Sequence, residues 1–294
     1  MVGSPAGAVT PPNERNELPM SIKDRIGFDI GRRARIEDGI DAAIKHKVRF
    51  IDVKIDAAPN AIESLTPERV AGIRERCEAH GIKMGVHTQS AVNVAETAPQ
   101  VRVGVDRYLT GHMDACKRLG GEWIVVHAGY HFTSDYKIRR DAALERLKRM
   151  SEYGEKIGLT LLLENMNKEP ADAEVKYLGY NLEECQFYFE NLKSSNLRWS
   201  FTCNHAHLVP EGVDGFLDGL DIKRCGEVRV ADCWANGKEE HLKPGDGNLD
   251  FTAMFKRLDK LGYKGHFTTA FGTLDDMIVG REYLARCAET AGVA

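Results

Sequence analysis

The sequence predicts a single (β/α)8 barrel, and three observations carry that prediction. Short apolar runs alternate eight times with longer amphipathic ones. The short runs are almost continuously apolar, as expected of strands buried on both faces of a parallel sheet. No break in composition divides the repeats, so they belong to one body. A doubly wound open sheet is the competing architecture, but no G-x-G-x-x-G follows the first strand.

In chain order, the first run is Arg25 to Ile30, followed by the helical IEDGIDAAIKHK. The second is Val48 to Ile55, with a helix through Cys77. Thr66 is a good N-cap for it, Pro67 suits its first position, and Gly81 closes it. The third run is Lys83 to Thr88, with a helix over Val101 to Leu119. The fourth is Trp123 to His127, with a helix from Asp135 to Ile157. The fifth is Leu159 to Glu164, with a helix from Asn181 to Leu192. The sixth is Leu197 to Thr202, with a short helix over Val213 to Leu220. The seventh is Glu227 to Asp232, with a helix over Phe251 to Leu261. The eighth is His266 to Phe271, with a last helix from Asp275 to Ala288.

The remaining features set bounds. In 294 residues, 40 basic side chains face 44 acidic ones, a formal charge of -4 that repels phosphate backbones and argues against a nucleic-acid partner. No apolar run reaches the ~18 residues of a membrane span. Seven scattered cysteines without a C-x-x-C pair fit neither a disulfide framework nor a zinc ribbon, and a reducing cytoplasm is the expected location. Residues 1–20, rich in Gly, Pro and polar residues without a signal-peptide core, read as a flexible tail. The barrel is expected over 21–294, with Met20 as an alternative start.

A barrel of this type builds its site at the carboxyl ends of its strands. The residues there are polar: Asp29, Lys54, His87, His127, His131, Glu164, Asn165, Asn167, Asn204, His205, His207, Arg229, Asp232, His241 and Lys243. Five of the ten histidines fall at or just past strand ends. Glu164 closes the run Leu161-Leu162-Leu163, which sets its carboxylate at the barrel mouth. There it needs a metal, a cation or hydrogen bonds, and desolvation would tune it toward a general base. The bland alternative is a salt bridge to Arg229 or Lys243. Lys243 is read as a substrate-oxygen ligand or a solvated side chain. Arg32 and Arg33 are read as an anion-binding or a merely basic loop. Trp234 and Tyr130 are candidates to stack on a ring. Cys203 and Cys233 lie beside the site without an assigned base, which argues against a catalytic thiolate.

Six segments, GVHTQ, VVHAGYH, LLLENM, FTCNHAHL, VRVADCW and HLKPGDGNLDF, resemble the xylose isomerase-like barrel superfamily in their order and spacing. That superfamily holds sugar and sugar-phosphate isomerases and epimerases, inosose dehydratases and AP endonucleases, and the resemblance spans Ile22 to Ala288. It implies a divalent metal on a glutamate, an aspartate, a histidine and a glutamate at strands five to eight. Here those positions are Glu164, Thr202, Arg229 and Ala270, so three of the four ligands are replaced. Arg229 cannot ligate a metal.

Two readings follow. In one the site is metal-free and Arg229 stabilises an oxyanion or enolate. In the other a manganese, zinc or magnesium ion has moved to different ligands. The nuclease branch of the superfamily uses histidines that match His87 and His127 beside Glu164, and a second set that matches His205, Glu239 and His241.

The activity expected from the resemblance is that of a sugar isomerase or epimerase acting on a small polyhydroxylated carbonyl compound. Glu164 would remove the proton beside the carbonyl, and His127, His205 or His241 would return it. His87, Asn165, Asn204, His207, Asp232, His241, Lys243 and Trp234 are the expected substrate contacts. A lyase or dehydratase shares the same half-reaction. An AP-endonuclease-like nuclease and a non-catalytic binding barrel are the readings from other classes. The resemblance also implies a homo-oligomer.

Overall fold

The computed structural model describes residues 20–31 and 34–293. Residues 1–19 of the expected tail and the Arg32–Arg33 pair lie outside the described residues. Eight parallel strands close into a barrel, β1 (Ile26–Gly31), β2 (Phe50–Val53), β3 (Lys83–His87), β4 (Trp123–Val126), β6 (Thr160–Glu164), β8 (Leu197–Thr202), β9 (Cys225–Val230) and β10 (His266–Thr269). Each expected strand is present. The closing pair is β1 with β10, where Ile26 lies beside Phe267.

Nine α-helices are described: α1 (Ile36–His46), α2 (Pro67–His80), α3 (Pro99–Arg118), α4 (Tyr136–Ile157), α5 (Leu182–Asn191), α6 (Cys203–His207), α7 (Gly212–Gly219), α8 (Phe251–Lys260) and α9 (Leu274–Thr290). Their ends follow local chemistry. The Thr66 side chain accepts from the Arg69 amide ahead of Pro67, and Gly81 closes α2 at φ 63°. Thr273 and Asp276 form a reciprocal capping box on α9. One element was not foreseen: β5 (Tyr130–Phe132) pairs antiparallel with β7 (Val175–Tyr177) over the mouth.

Most of the core lies between the barrel and its helices, where Trp199, Phe201 and Phe216 are wholly buried. A smaller cluster of Phe50, Trp123, Val125 and Leu162 fills the barrel's lower interior. Glycine is required at position 85, because a Cβ there would collide with the Trp123 indole. That indole donates to Asp52 Oδ1 at 2.8 Å, so the bare backbone of β3 makes room for an inward hydrogen bond. Above this floor the inward residues turn polar. Among the described residues, no helix is long and apolar enough to cross a membrane.

Candidate metal and substrate site

Strand alternation points Asp29, His87, Glu164, Thr202 and Arg229 into the barrel near its upper rim. His127 follows β4 directly and joins them. His87 Nε2 lies 3.3 Å from His127 Nε2 and 3.3 Å from Glu164 Oε2, and His127 Nε2 lies 3.2 Å from the same oxygen. Three ligand atoms therefore form a nearly equilateral triangle, and all three residues are buried.

The remaining ring nitrogens set the tautomers. His87 Nδ1 lies 3.0 Å from Asp29 Oδ2 and donates to it, and His127 Nδ1 faces the Thr88 hydroxyl at 3.4 Å. Because Thr88 gives its own proton to the Val125 carbonyl, its oxygen is the acceptor there. Burial also lowers the His127 pKa to about 4 against the pull of Glu164, which keeps that imidazole neutral. Two Nε2 atoms and a carboxylate oxygen thus converge on one point, which requires a proton or a cation between them. Donors bound to one transition metal at about 2.0–2.2 Å stand about 3.0–3.4 Å apart, which the triangle satisfies. The donor set fits a divalent cation.

Burial alone would raise the Glu164 pKa. Close contact with His127 and His87, and the Arg229 charge, hold it well below the usual carboxylate range instead. Its other oxygen, Oε1, accepts from Thr202 Oγ1 at 2.6 Å. Thr202 stands where the resemblance leads one to expect an aspartate, and its hydroxyl serves as an orienting donor.

Arg229 sits deeper than its place near the end of β9 suggested. Its Nη1 donates to Asp52 Oδ2 at 2.5 Å and to Glu227 Oε1 at 3.0 Å, and its Nη2 donates to Asp29 Oδ2. Its Nε stands 3.9 Å from Glu164 Oε1. Asp52 and Glu227 were not singled out from the sequence. An acidic residue inside the apolar strands FIDV and CGEVRV is the signal that could have found them. Burial and Glu227 push Asp52 well above the usual range, against the pull of Arg229.

A second group gathers on the rim. His205 and His241 each bond a backbone carbonyl through Nδ1, those of Asn165 and Ala270, both at 2.8 Å. Their Nε2 atoms face Glu239 Oε1 at 3.7 and 2.6 Å. The resemblance to the nuclease branch had grouped these residues, and the fold brings them together as a second possible cation group.

Other expected contacts are engaged elsewhere. Asn165 bonds both backbone groups of Thr202 and fastens β6 to β8. Asp232 accepts four amides, those of Cys233, Gly245, Gly247 and Leu249, and so ties down the loop after β9. His207 Nε2 bonds Asn248 at 2.9 Å. Asn204 gives its amide to the Glu240 carbonyl, while its Oδ1 is buried without a partner among the described residues. Trp234 is 46% exposed, Lys243 acts electrostatically on Asp276, and His131 turns to the Phe132 carbonyl and the Tyr136 ring. Cys203 and Cys233 are free and buried, and burial pushes the Cys233 thiol up to about 12, which leaves no thiolate.

Among known proteins, the 2-oxo-tetronate isomerase of Cupriavidus necator is 26% identical over 176 residues, 60% of this chain and 60% of that enzyme. The crystal structure of a D-tagatose 3-epimerase-like protein superposes with a TM-score of 0.80 at 21% identity, covering 91% of this chain and 98% of that one. The IolI protein, solved with a bound zinc atom, superposes with a TM-score of 0.71 at 16% identity, covering 91% and 96%. The family model described as "Xylose isomerase-like TIM barrel" matches residues 40–286. With most of its length matched by that model, and its eight strands closed in the corresponding barrel, the chain belongs to the xylose isomerase-like TIM-barrel family.

Proposed function

We propose that the protein is a sugar isomerase or epimerase acting on a small polyhydroxylated carbonyl compound, with a divalent cation held by His87, His127 and Glu164. The observation that carries this reading is the triangle of two Nε2 atoms and one carboxylate oxygen at 3.2–3.3 Å. Its position at the barrel mouth, and the sugar-converting names of the relatives, support it. When bound, the cation supplies Lewis-acid polarisation of the substrate carbonyl, with zinc or manganese best matched to these donors.

The chain supplies the rest. Glu164 removes the proton beside the carbonyl through Oε1, which the Thr202 hydroxyl orients. His127 is committed to the triangle, which leaves His205 and His241 to return the proton from the rim. Asn204 Oδ1 is the buried acceptor free to take a substrate hydroxyl. Arg229 balances the carboxylates beneath the site, because both its terminal nitrogens already bond them.

The test is exchange of the carbon-bound proton in deuterated water, followed by NMR over a panel of ketoses and ketoaldonates. We expect exchange with the metal-loaded wild type and loss of at least about 10² in rate for Glu164→Gln. Exchange by Glu164→Gln at the wild-type rate, or none by the wild type on any panel member, would overturn the reading. The His205–Glu239–His241 group also favours a phosphodiester-cleaving alternative, for which cleavage of abasic duplex DNA is decisive. We expect no cleavage.

A further inference from the structure

Lys54 has no role in the site as described, yet the strand register sets it there. The last paired positions of β2 and β3 are Val53 and Val86, so the next residues, Lys54 and His87, stand side by side. Asp52 points into the barrel, where it meets Arg229 and the Trp123 indole. Alternation then turns Lys54, two residues on, to the same interior one layer higher. Neighbouring strands are about 4.8 Å apart, so the lysine stem starts one strand spacing from a residue of the triangle.

Its charge is not neutralised locally. Lys54 is half-buried and has no hydrogen-bond or ion-pair partner among the described residues. Its field reaches both Asp29 and His127, on either side of the triangle. The carboxylates beside the triangle are taken. Asp29 serves His87, Arg229 and the Gly31 amide, and Glu164 serves Thr202 and the two histidines. A lone ammonium aimed at a small-molecule site, with saturated neighbours, calls for an anionic oxygen from the ligand.

We infer that Lys54 binds a carboxylate attached directly to the reacting carbonyl, so that the site selects sugar acids over neutral sugars. The inference rests on the isomerase reading and deepens it. Proximity decides the kind of anion. Because its stem starts one strand spacing from His87, the ammonium is within reach of an anion on the carbon next to the reacting one, whereas a terminal phosphate would sit several bonds away. A single ammonium also suits a monoanion, while phosphate sites gather several donors, often at a helix N-terminus.

The experiment is calorimetric titration of the full-length, manganese-loaded protein with threonate, threitol and threitol 4-phosphate. Wild type, Lys54→Met and Lys54→Arg are compared, with near-ultraviolet circular dichroism to verify each fold. We expect wild type to bind threonate on the order of tenfold more tightly than threitol, as a charge-assisted bond provides. Lys54→Met should erase that preference without weakening threitol, and Lys54→Arg should keep most of it. Equal binding of acid and polyol by wild type, an undiminished preference in Lys54→Met, or phosphate bound in preference to carboxylate would each overturn the inference and leave the isomerase reading standing. Failure of all three ligands to bind would overturn both.

Discussion

Asp29 accepts three hydrogen bonds, from the Gly31 amide, His87 Nδ1 and Arg229 Nη2. The bond to His87 is the one that matters for the triangle, because it fixes which imidazole nitrogen keeps its lone pair. Outer partners of this kind typically contribute about 10–100-fold to metal affinity. We therefore expect Asp29→Asn to weaken zinc binding by about that factor in a chelator competition, with the barrel still folded. Unchanged affinity would mean that the ring orientation is set by packing alone. His127→Ala removes a donor outright, and metal analysis of the purified variant should show substoichiometric content.

At the level of elements, α1 and α2 are joined through a bidentate pair, Arg69 Nε and Nη2 on the two oxygens of Glu37 at 2.7 and 2.9 Å. Arg69 hydrogen bonds chiefly, against the cost of burial, lower the Glu37 pKa to about 2. A carboxylate depressed in the folded state contributes stability that is fully present above its unfolded pKa of about 4.5. That contribution is lost as pH falls toward about 2. Denaturation midpoints between pH 5 and pH 2 should fall less steeply for Glu37→Gln than for wild type, and parallel slopes would contradict the pairing. Inside the barrel, Gly85→Ala drives a methyl into the Trp123 indole. Overpacking of this sort costs about 1–3 kcal/mol, readable as a lower urea midpoint, together with a change in Trp fluorescence as the bond to Asp52 is disturbed.

At the scale of the whole molecule, the barrel interior holds four carboxylates, those of Asp29, Asp52, Glu164 and Glu227, around one guanidinium. Removing the cation leaves buried like charges uncompensated, so Arg229→Met should destabilise by about 3–5 kcal/mol in urea unfolding. A variant as stable as wild type would show that protonation of the carboxylates replaces the arginine at little cost. This layer also marks where the sequence stopped being readable. The eight strands were legible because each is a short apolar run between turn signals, and the grouping of His87, His127 and Glu164 because all three sit at strand ends that the superfamily resemblance singles out. What Arg229 bonds was not legible. Its partners at positions 29 and 52 meet it only because closure sets β1 beside β10 and brings β2 across the interior. The β5–β7 pair escaped notice because three-residue strands within polar loops leave no periodic signal. The commitments of Asp232 to loop amides and of Asn165 to the Thr202 backbone were hidden as well, because they depend on which loops and strands folding brings together, not on spacing.

Asp29 and Arg229 are separated by 200 residues, whereas His87 and Glu164 are separated by only 77. During synthesis all three residues of the triangle therefore leave the ribosome well before Arg229, which bonds the Asp29 carboxylate that orients His87. Until β9 and β10 arrive, the carboxylate that orients His87 lacks its Arg229 counter-charge, and the half-made barrel has two open edges. On the proposed cation reading, the grip on the ion is then the last property the chain acquires, a timestamp of completed folding. A nascent chain stalled before Cys225 should capture little zinc although every ligand has already been translated.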